Sequence, residues 1–178
     1  MPSWIALQRS VNVGGRKYPM AELRAVLEGA GYTDVATHIQ TGNIRLTAST
    51  RSATRLEADL ERLFAADRGF EVLTVVLTPD ELVEIGSQAA EVVAEFGQPE
   101  FGHYVEVMRV VPSPEDRALI EGEDLAGQRV VVRGRAAHLL FDIPFHEAKP
   151  PRAAVKRAYG VSTNRNLKVV RALIEKWC

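Results

Sequence analysis

Val35-Ala36-Thr37-His38-Ile39-Gln40-Thr41-Gly42-Asn43-Ile44-Arg45-Leu46-Thr47 is the stretch on which the fold turns. Residues 35–40 and 44–47 read as two strands, joined at Thr41-Gly42-Asn43, where Gly and Asn supply the positive φ values a tight hairpin demands. Upstream, residues 4–9 form a short strand-like run, and a polar loop over 10–18 leads to a helix with Pro19 at its first position. Leu23, Val26, Leu27 and Ala30 recur at the spacing of one apolar helix face, and Gly31 stops the turn. Downstream, Ser52 caps a second helix whose inner face is Leu56, Leu60, Leu63 and Phe64. Arg68-Gly69 ends that helix before an apolar strand over 72–77. The order is βαββαβ, that of the ferredoxin-like split βαβ unit.

Beyond it, Thr78-Pro79-Asp80-Glu81 is a capping box with acidic residues facing the helix dipole, and it opens a linking helix. After Gly97, Pro99 and Gly102 the order restarts: a strand over 104–111, a helix from Ser113 to about 121, then strands over 130–133 and 138–141. Two helices follow, near 153–159 and 165–177, and no closing strand is left. The expected fold class is therefore α+β: two ferredoxin-like subdomains, the second incomplete, with the C-terminal helices packing back. The first spans residues 1–90 with its linking helix, the second residues 103–178.

The chain has 178 residues, 46% hydrophobic and 25% charged, which excludes disordered, collagenous and coiled-coil classes. Cys178 is the single cysteine, so no internal disulfide and no Cys-rich zinc site can form. No run approaches the roughly 18 apolar residues of a membrane span, and the start, Met1-Pro2-Ser3-Trp4, lacks signal-peptide character. These features predict a cytoplasmic protein without membrane or disulfide partners.

Charge is unevenly spread. Residues 1–55 carry +4, residues 56–144 carry −11 and residues 145–178 carry +6. Should the C-terminal helices fold back over both halves, the two basic ends meet in one positive face that favours an anionic ligand. Mutual neutralisation of acidic and basic helices accounts for the same pattern.

In the loop Asn12-Val13-Gly14-Gly15-Arg16-Lys17, two glycines let backbone N–H groups turn toward an anion and two cations supply charge. The spacing is neither that of a Walker A loop nor that of the dinucleotide turn, and a Gly-Gly turn with solvated flanks is the plain alternative. The turn at Gln40-Thr41-Gly42-Asn43 ends the second strand. That strand is expected to run antiparallel to the first, which leaves the turn's distance from Asn12 to the register. The last segment carries Lys149, Arg152, Lys156, Arg157, Arg165, Asn166, Lys168 and Arg171, a cation density suited to phosphate or to a solvated helix. A pI near 6.4 and the absence of an aromatic pair on the first strands speak against a dedicated nucleic-acid binder.

His38, His103, His138 and His146 show no metal-ligand spacing, so each reads as structural or solvated and no metal or cofactor is called for. No G-x-S-x-G elbow exists, and Cys178 at a fraying end is a poor nucleophile. His146-Glu147, beside Lys149, has the form of a general-base pair, an arrangement that surface loops also produce by chance.

Ala6-Leu7-Gln8-Arg9-Ser10-Val11-Asn12-Val13-Gly14-Gly15, Met20-Ala21-Glu22-Leu23-Arg24 and Ile39-Gln40-Thr41-Gly42-Asn43 resemble a bacterial family known as domain of unknown function 1697. In that family the opening typically reads Leu-Leu-Arg-Gly-Ile-Asn-Val-Gly-Gly and the hairpin Ile-Gln-Ser-Gly-Asn. Ser162-Thr163-Asn164-Arg165-Asn166-Leu167 is similar to its C-terminal motif, although Ser10 replaces a usual Gly and Leu167 a usual Trp. The resemblance implies the two-subdomain fold. It also implies that Arg9, Asn12, Gly14, Gly15, Gln40, Gly42, Asn43, Lys149, Arg165 and Asn166 serve one site. With Arg16 and Lys17 these are the candidate ligand-binding residues, for a phosphorylated small molecule or a nucleic-acid phosphate. A metal-independent enzyme acting on a phosphorylated substrate, through Lys149 or His146, and a structural or interaction module are the rival readings.

Overall fold

The computed structural model describes residues 1–178. The chain divides into two compact units, residues 1–82 with Trp177 and Cys178, and residues 83–176.

In unit 1, β1 (Ser3–Gln8), α1 (Met20–Gly29), β2 (Thr33–His38), β3 (Asn43–Thr47), α2 (Ala53–Arg68) and β4 (Thr74–Leu77) follow in order. The sheet is ordered β2-β3-β1-β4, and every neighbouring pair is antiparallel. Because β1 and β2 both oppose β3, they run in the same direction, which corrects the expectation that the second strand opposes the first. Their C-terminal ends therefore lie at one end of the sheet, and this topology, rather than register, brings the loops that follow them together.

The core packs one sheet face, from Trp4, Ala6, Ile44, Leu46 and Val76, against Leu23 and Leu27 of α1 and Leu56, Leu60 and Phe64 of α2. Each such Leu or Phe side chain contributes about 1.5 to 3 kcal/mol by leaving water. α2 starts where the Ser52 hydroxyl accepts the Arg55 N–H and stops at Gly69, whose φ is +72°. On the edge strand β4, the N–H groups of Thr74 and Val76 donate to the Glu61 and Glu57 carboxylates at 2.8 and 2.9 Å. Two acidic side chains of α2 thereby occupy backbone donors that would otherwise invite another strand.

α3 (Pro79–Phe96) opens on a reciprocal capping box: the Thr78 N–H donates to Glu81 Oε2 at 2.7 Å, and the Glu81 N–H to Thr78 Oγ1 at 3.1 Å. No helix of the chain is long and apolar enough to cross a membrane.

In unit 2 the series is β5 (Gly102–Met108), α4 (Pro114–Glu121), β6 (Gln128–Arg133), β7 (Ala136–Phe141), α5 (Ala153–Ala158), β8 (Ser162–Asn166) and α6 (Leu167–Trp177). A 3₁₀ turn, Phe145–Glu147, precedes α5. The sheet order β6-β7-β5-β8 repeats that of unit 1, again all antiparallel. The second ferredoxin-like unit is thus complete, a correction of the expected βαββ remnant. Its closing strand is Ser-Thr-Asn-Arg-Asn, which carries no apolar alternation, and its last two residues, Arg165 and Asn166, fall where the sequence predicts the start of the last helix. The helix begins one residue after it, where Asn166 Oδ1 accepts the Lys168 N–H at 2.8 Å. α4 and α5 cover one face of this sheet, around Met108, Val132, Ala137, Val155 and Tyr159. On the other face Val131 and Leu140 pack with Val92 of α3.

Candidate functional site

The candidate residues fall into two groups. Arg9 to Lys17 and Gln40 to Asn43 belong to unit 1, whereas Lys149, Arg165 and Asn166 belong to unit 2.

In unit 1 the connection over residues 9–19 departs from the end of β1, pinned by Gln8 N–H to Gly42 O and by Arg9 N–H to Leu73 O, each at 2.8 Å. The left-handed region recurs along it, at Ser10 (φ 55°), Asn12 (59°), Gly14 (57°) and Gly15 (85°). Asn12 organises this path. Its Nδ2 donates to Tyr18 O at 3.0 Å and to Gln40 O at 2.7 Å, while its Oδ1 accepts the Tyr18 N–H at 2.7 Å. One amide therefore closes the Gly-Gly loop and ties it to the loop between β2 and β3, so its own polar atoms are spent on the protein.

The second loop is built differently from the tight hairpin read in the sequence. It contains four residues, 39–42, between the paired His38 and Asn43, and its positive φ values are at Ile39 (49°) and Gly42 (71°). Asn43 is not a turn residue: it is the first residue of β3, fully buried, and its Nδ2 donates to His38 O at 3.0 Å and Thr41 Oγ1 at 2.9 Å. At Gly42 a Cβ would lie 2.5 Å from Gln8 Oε1 and 2.6 Å from Gln8 Cβ, so glycine is required by close approach as well as by φ. Gln8, buried on β1, is thus part of the scaffold that sequence reasoning passed over; its place at the end of an otherwise apolar buried run was the available signal.

What this scaffold presents to solvent is the segment Val13 to Lys17, together with Arg9 and Gln40. The N–H groups of Val13, Gly14 and Gly15 make no backbone hydrogen bond, whereas those of Arg16 and Lys17 turn inward to Val13 O and Gly15 O. A Cβ at Gly14 or Gly15 would meet nothing within 4 Å, so φ alone asks for glycine there. Arg16 is drawn aside: its guanidinium lies 5.5 Å from the Phe70 ring centroid and reaches Glu71 O at 3.5 Å. Tyr18, fully buried, anchors the far end of the loop by packing edge-on to Phe64 at 5.7 Å beneath the Arg68 guanidinium, and burial pushes its phenol well above the ordinary range. Lys17 and Arg9 remain as exposed cations.

In unit 2, Arg165 on β8 is buried, and its Nη1 donates to Thr163 Oγ1 at 2.8 Å and Asn164 O at 2.7 Å. Burial lowers its pKa to about 10, with Glu106 opposing. Asn166 is spent on capping α6. Lys149 is exposed after the 3₁₀ turn, and His146 and Glu147 there are solvated neighbours, 81% and 59% exposed with 3.6 Å between Nε2 and Oε1.

A family described as a protein of unknown function, DUF1697, matches residues 1–138. A solved structure of a conserved bacterial protein from Streptococcus pneumoniae superposes with a TM-score of 0.75 at 21% identity, covering 98% of this chain and 97% of that one. At that identity the likeness speaks for the fold alone. No curated protein matches the chain.

Proposed function

The chain belongs to the family of unknown function DUF1697, and we propose that it binds an anionic, phosphate-bearing ligand at the Gly-Gly loop of unit 1. One observation carries the reading: the loop offers three successive N–H groups without backbone partners, at Val13, Gly14 and Gly15, between the exposed cations Arg9 and Lys17. Successive amides in such a path form a concavity for an anion's oxygens, and a nearby ammonium or guanidinium adds charge-assisted bonds.

The fold itself does not ask for this loop. In unit 2 the equivalent connection, from β5 to α4, is made by residues 109–113, Arg-Val-Val-Pro-Ser, with no glycine. Unit 1 uses residues 9–19 for the same step. In this reading Gln40, exposed and tied to this loop through its carbonyl by Asn12, orients the ligand, and Lys149, Arg165 and Asn166 are not needed for it.

Thermal unfolding with inorganic phosphate, sugar phosphates, nucleotides and short oligonucleotides, at low and high salt, tests the reading. A ligand at a hundred times its Kd raises the melting point by about 5 to 10 °C for a chain of this length. The shift should shrink in Lys17→Ala and Arg9→Ala proteins, whose unliganded melting points stay near that of the parent. Shifts that vanish with salt for every probe would reduce the loop to non-specific phosphate contact. No shift from any probe would end the proposal.

A further inference from the structure

Unit 2 holds a buried pair of titratable groups for which the anion site has no use. His103 on β5 and His138 on β7 share a sheet face, since His103 registers with Leu140 and Val105 with His138. They are 5% and 0% exposed. His103 Nε2 and His138 Nδ1 lie 3.0 Å apart, with the rings edge to face and their centroids 5.2 Å apart. The outer nitrogens, His103 Nδ1 and His138 Nε2, are buried without a hydrogen-bond partner. The cross-strand neighbours Leu140 and Val131 join Val92 of α3 in an apolar layer.

The charged groups that reach the pair are cationic: Arg171 of α6 acts on His103, and Arg133 of β6 on His138. Arg133 is itself held by Glu95 of α3 at 2.8 Å, and β8 contributes the buried Arg165, in register with Val105 beside the pair.

Two neutral imidazoles in this contact share one proton, and either tautomer leaves one outer nitrogen with an N–H and the other with a lone pair. An added proton must go to that lone pair, which places a cation in an apolar layer facing two arginines. A second sets N–H against N–H across 3.0 Å and abolishes the bond. We propose that the His103–His138 pair is an acid-sensitive latch: the sheet face beneath α3 stays closed while the pair is neutral and opens when the pair takes up protons.

Burial, then the charge of Arg171, holds His103 down to about 4; burial, then His103 and Arg133, holds His138 down to about 3. Both values lie below the roughly 6.5 of an unfolded histidine. The unfolded or opened state therefore binds more protons between these limits, so the stabilisation is complete above about pH 6.5 and is lost as pH falls toward 4.

Amide hydrogen exchange on the full chain from pH 7.5 to 4.5, corrected for intrinsic exchange, tests the latch. The opening equilibrium of β5 and β7 should rise about tenfold per pH unit for each proton taken up below pH 6.5, while β1 and β3 of unit 1 serve as the internal reference. A His103→Leu/His138→Leu protein should lose that slope. Should that variant fail to fold, imidazole NMR of the parent decides. Ring signals that hold the neutral form to below pH 5 and then titrate together with loss of protection support the latch. Rings that titrate near pH 6.5 with protection intact would overturn it, as would a double variant with an unchanged slope.

Discussion

Asn12 shows how a residue that reads as ligand-binding can be consumed by the protein. Its three side-chain bonds, to Tyr18 N–H, Tyr18 O and Gln40 O, are what hold two loops at one end of the sheet. Asn12→Ala removes all three and leaves an alanine at φ 59°, so a loss of about 2 to 4 kcal/mol in urea unfolding is expected. The glycines separate by the same logic. Gly42→Ala adds a contact under 3 Å with Gln8 to the cost of its φ and should lose about 2 to 4 kcal/mol, whereas Gly14→Ala meets no atom and should lose about 1 kcal/mol. If the loop amides bind phosphate, Gly14→Ala weakens the melting shift more than this small stability change explains. The sequence made the residue types of the candidate site plain, because glycine pairs and amide side chains at strand ends have few uses. It could not divide them into builders and binders: that depends on which acceptors the folded backbone brings within 3 Å of each amide.

Secondary structure was legible wherever burial was one-sided and ends were capped. Ser52, Thr78 and Ser113 each mark a helix start that the structure confirms with a side-chain oxygen accepting a backbone N–H. β8 was not legible, since a strand whose side chains are Ser, Thr, Asn, Arg and Asn owes its place to backbone pairing with β5 and to a buried guanidinium rather than to apolar alternation. Its contribution is nevertheless central to unit 2. Thr163→Pro, at the register position of Val107, removes a backbone donor within this ladder and should cost about 3 kcal/mol or more. Hydrogen exchange should show β5 losing protection along with β8. Arg165→Ala should likewise destabilise unit 2, because Thr163 Oγ1 loses a buried donor. In the anion reading, that loss leaves phosphate binding at the unit 1 loop intact, so a folded Arg165→Ala protein that no longer responds to phosphate would move the site away from this loop.

The whole chain is one strand order used twice, β2-β3-β1-β4 and β6-β7-β5-β8, and the repeat was visible as an order of elements rather than as residue identity. Each copy closes its own core. Ile44 lies in the core that α1 and α2 cover in unit 1, and Ile120 in the core that α4 and α5 cover in unit 2, both fully buried. Truncating either to valine removes one methylene and should cost about 0.5 to 1.5 kcal/mol. Since the two side chains share no core neighbour, their costs should add to within about 0.5 kcal/mol in an Ile44→Val/Ile120→Val protein, measured by urea unfolding with a common m-value. A double variant that departed from the sum by more than that would mean that the two cores report on one another, and the chain would have to be treated as a single cooperative structure rather than as a repeated one.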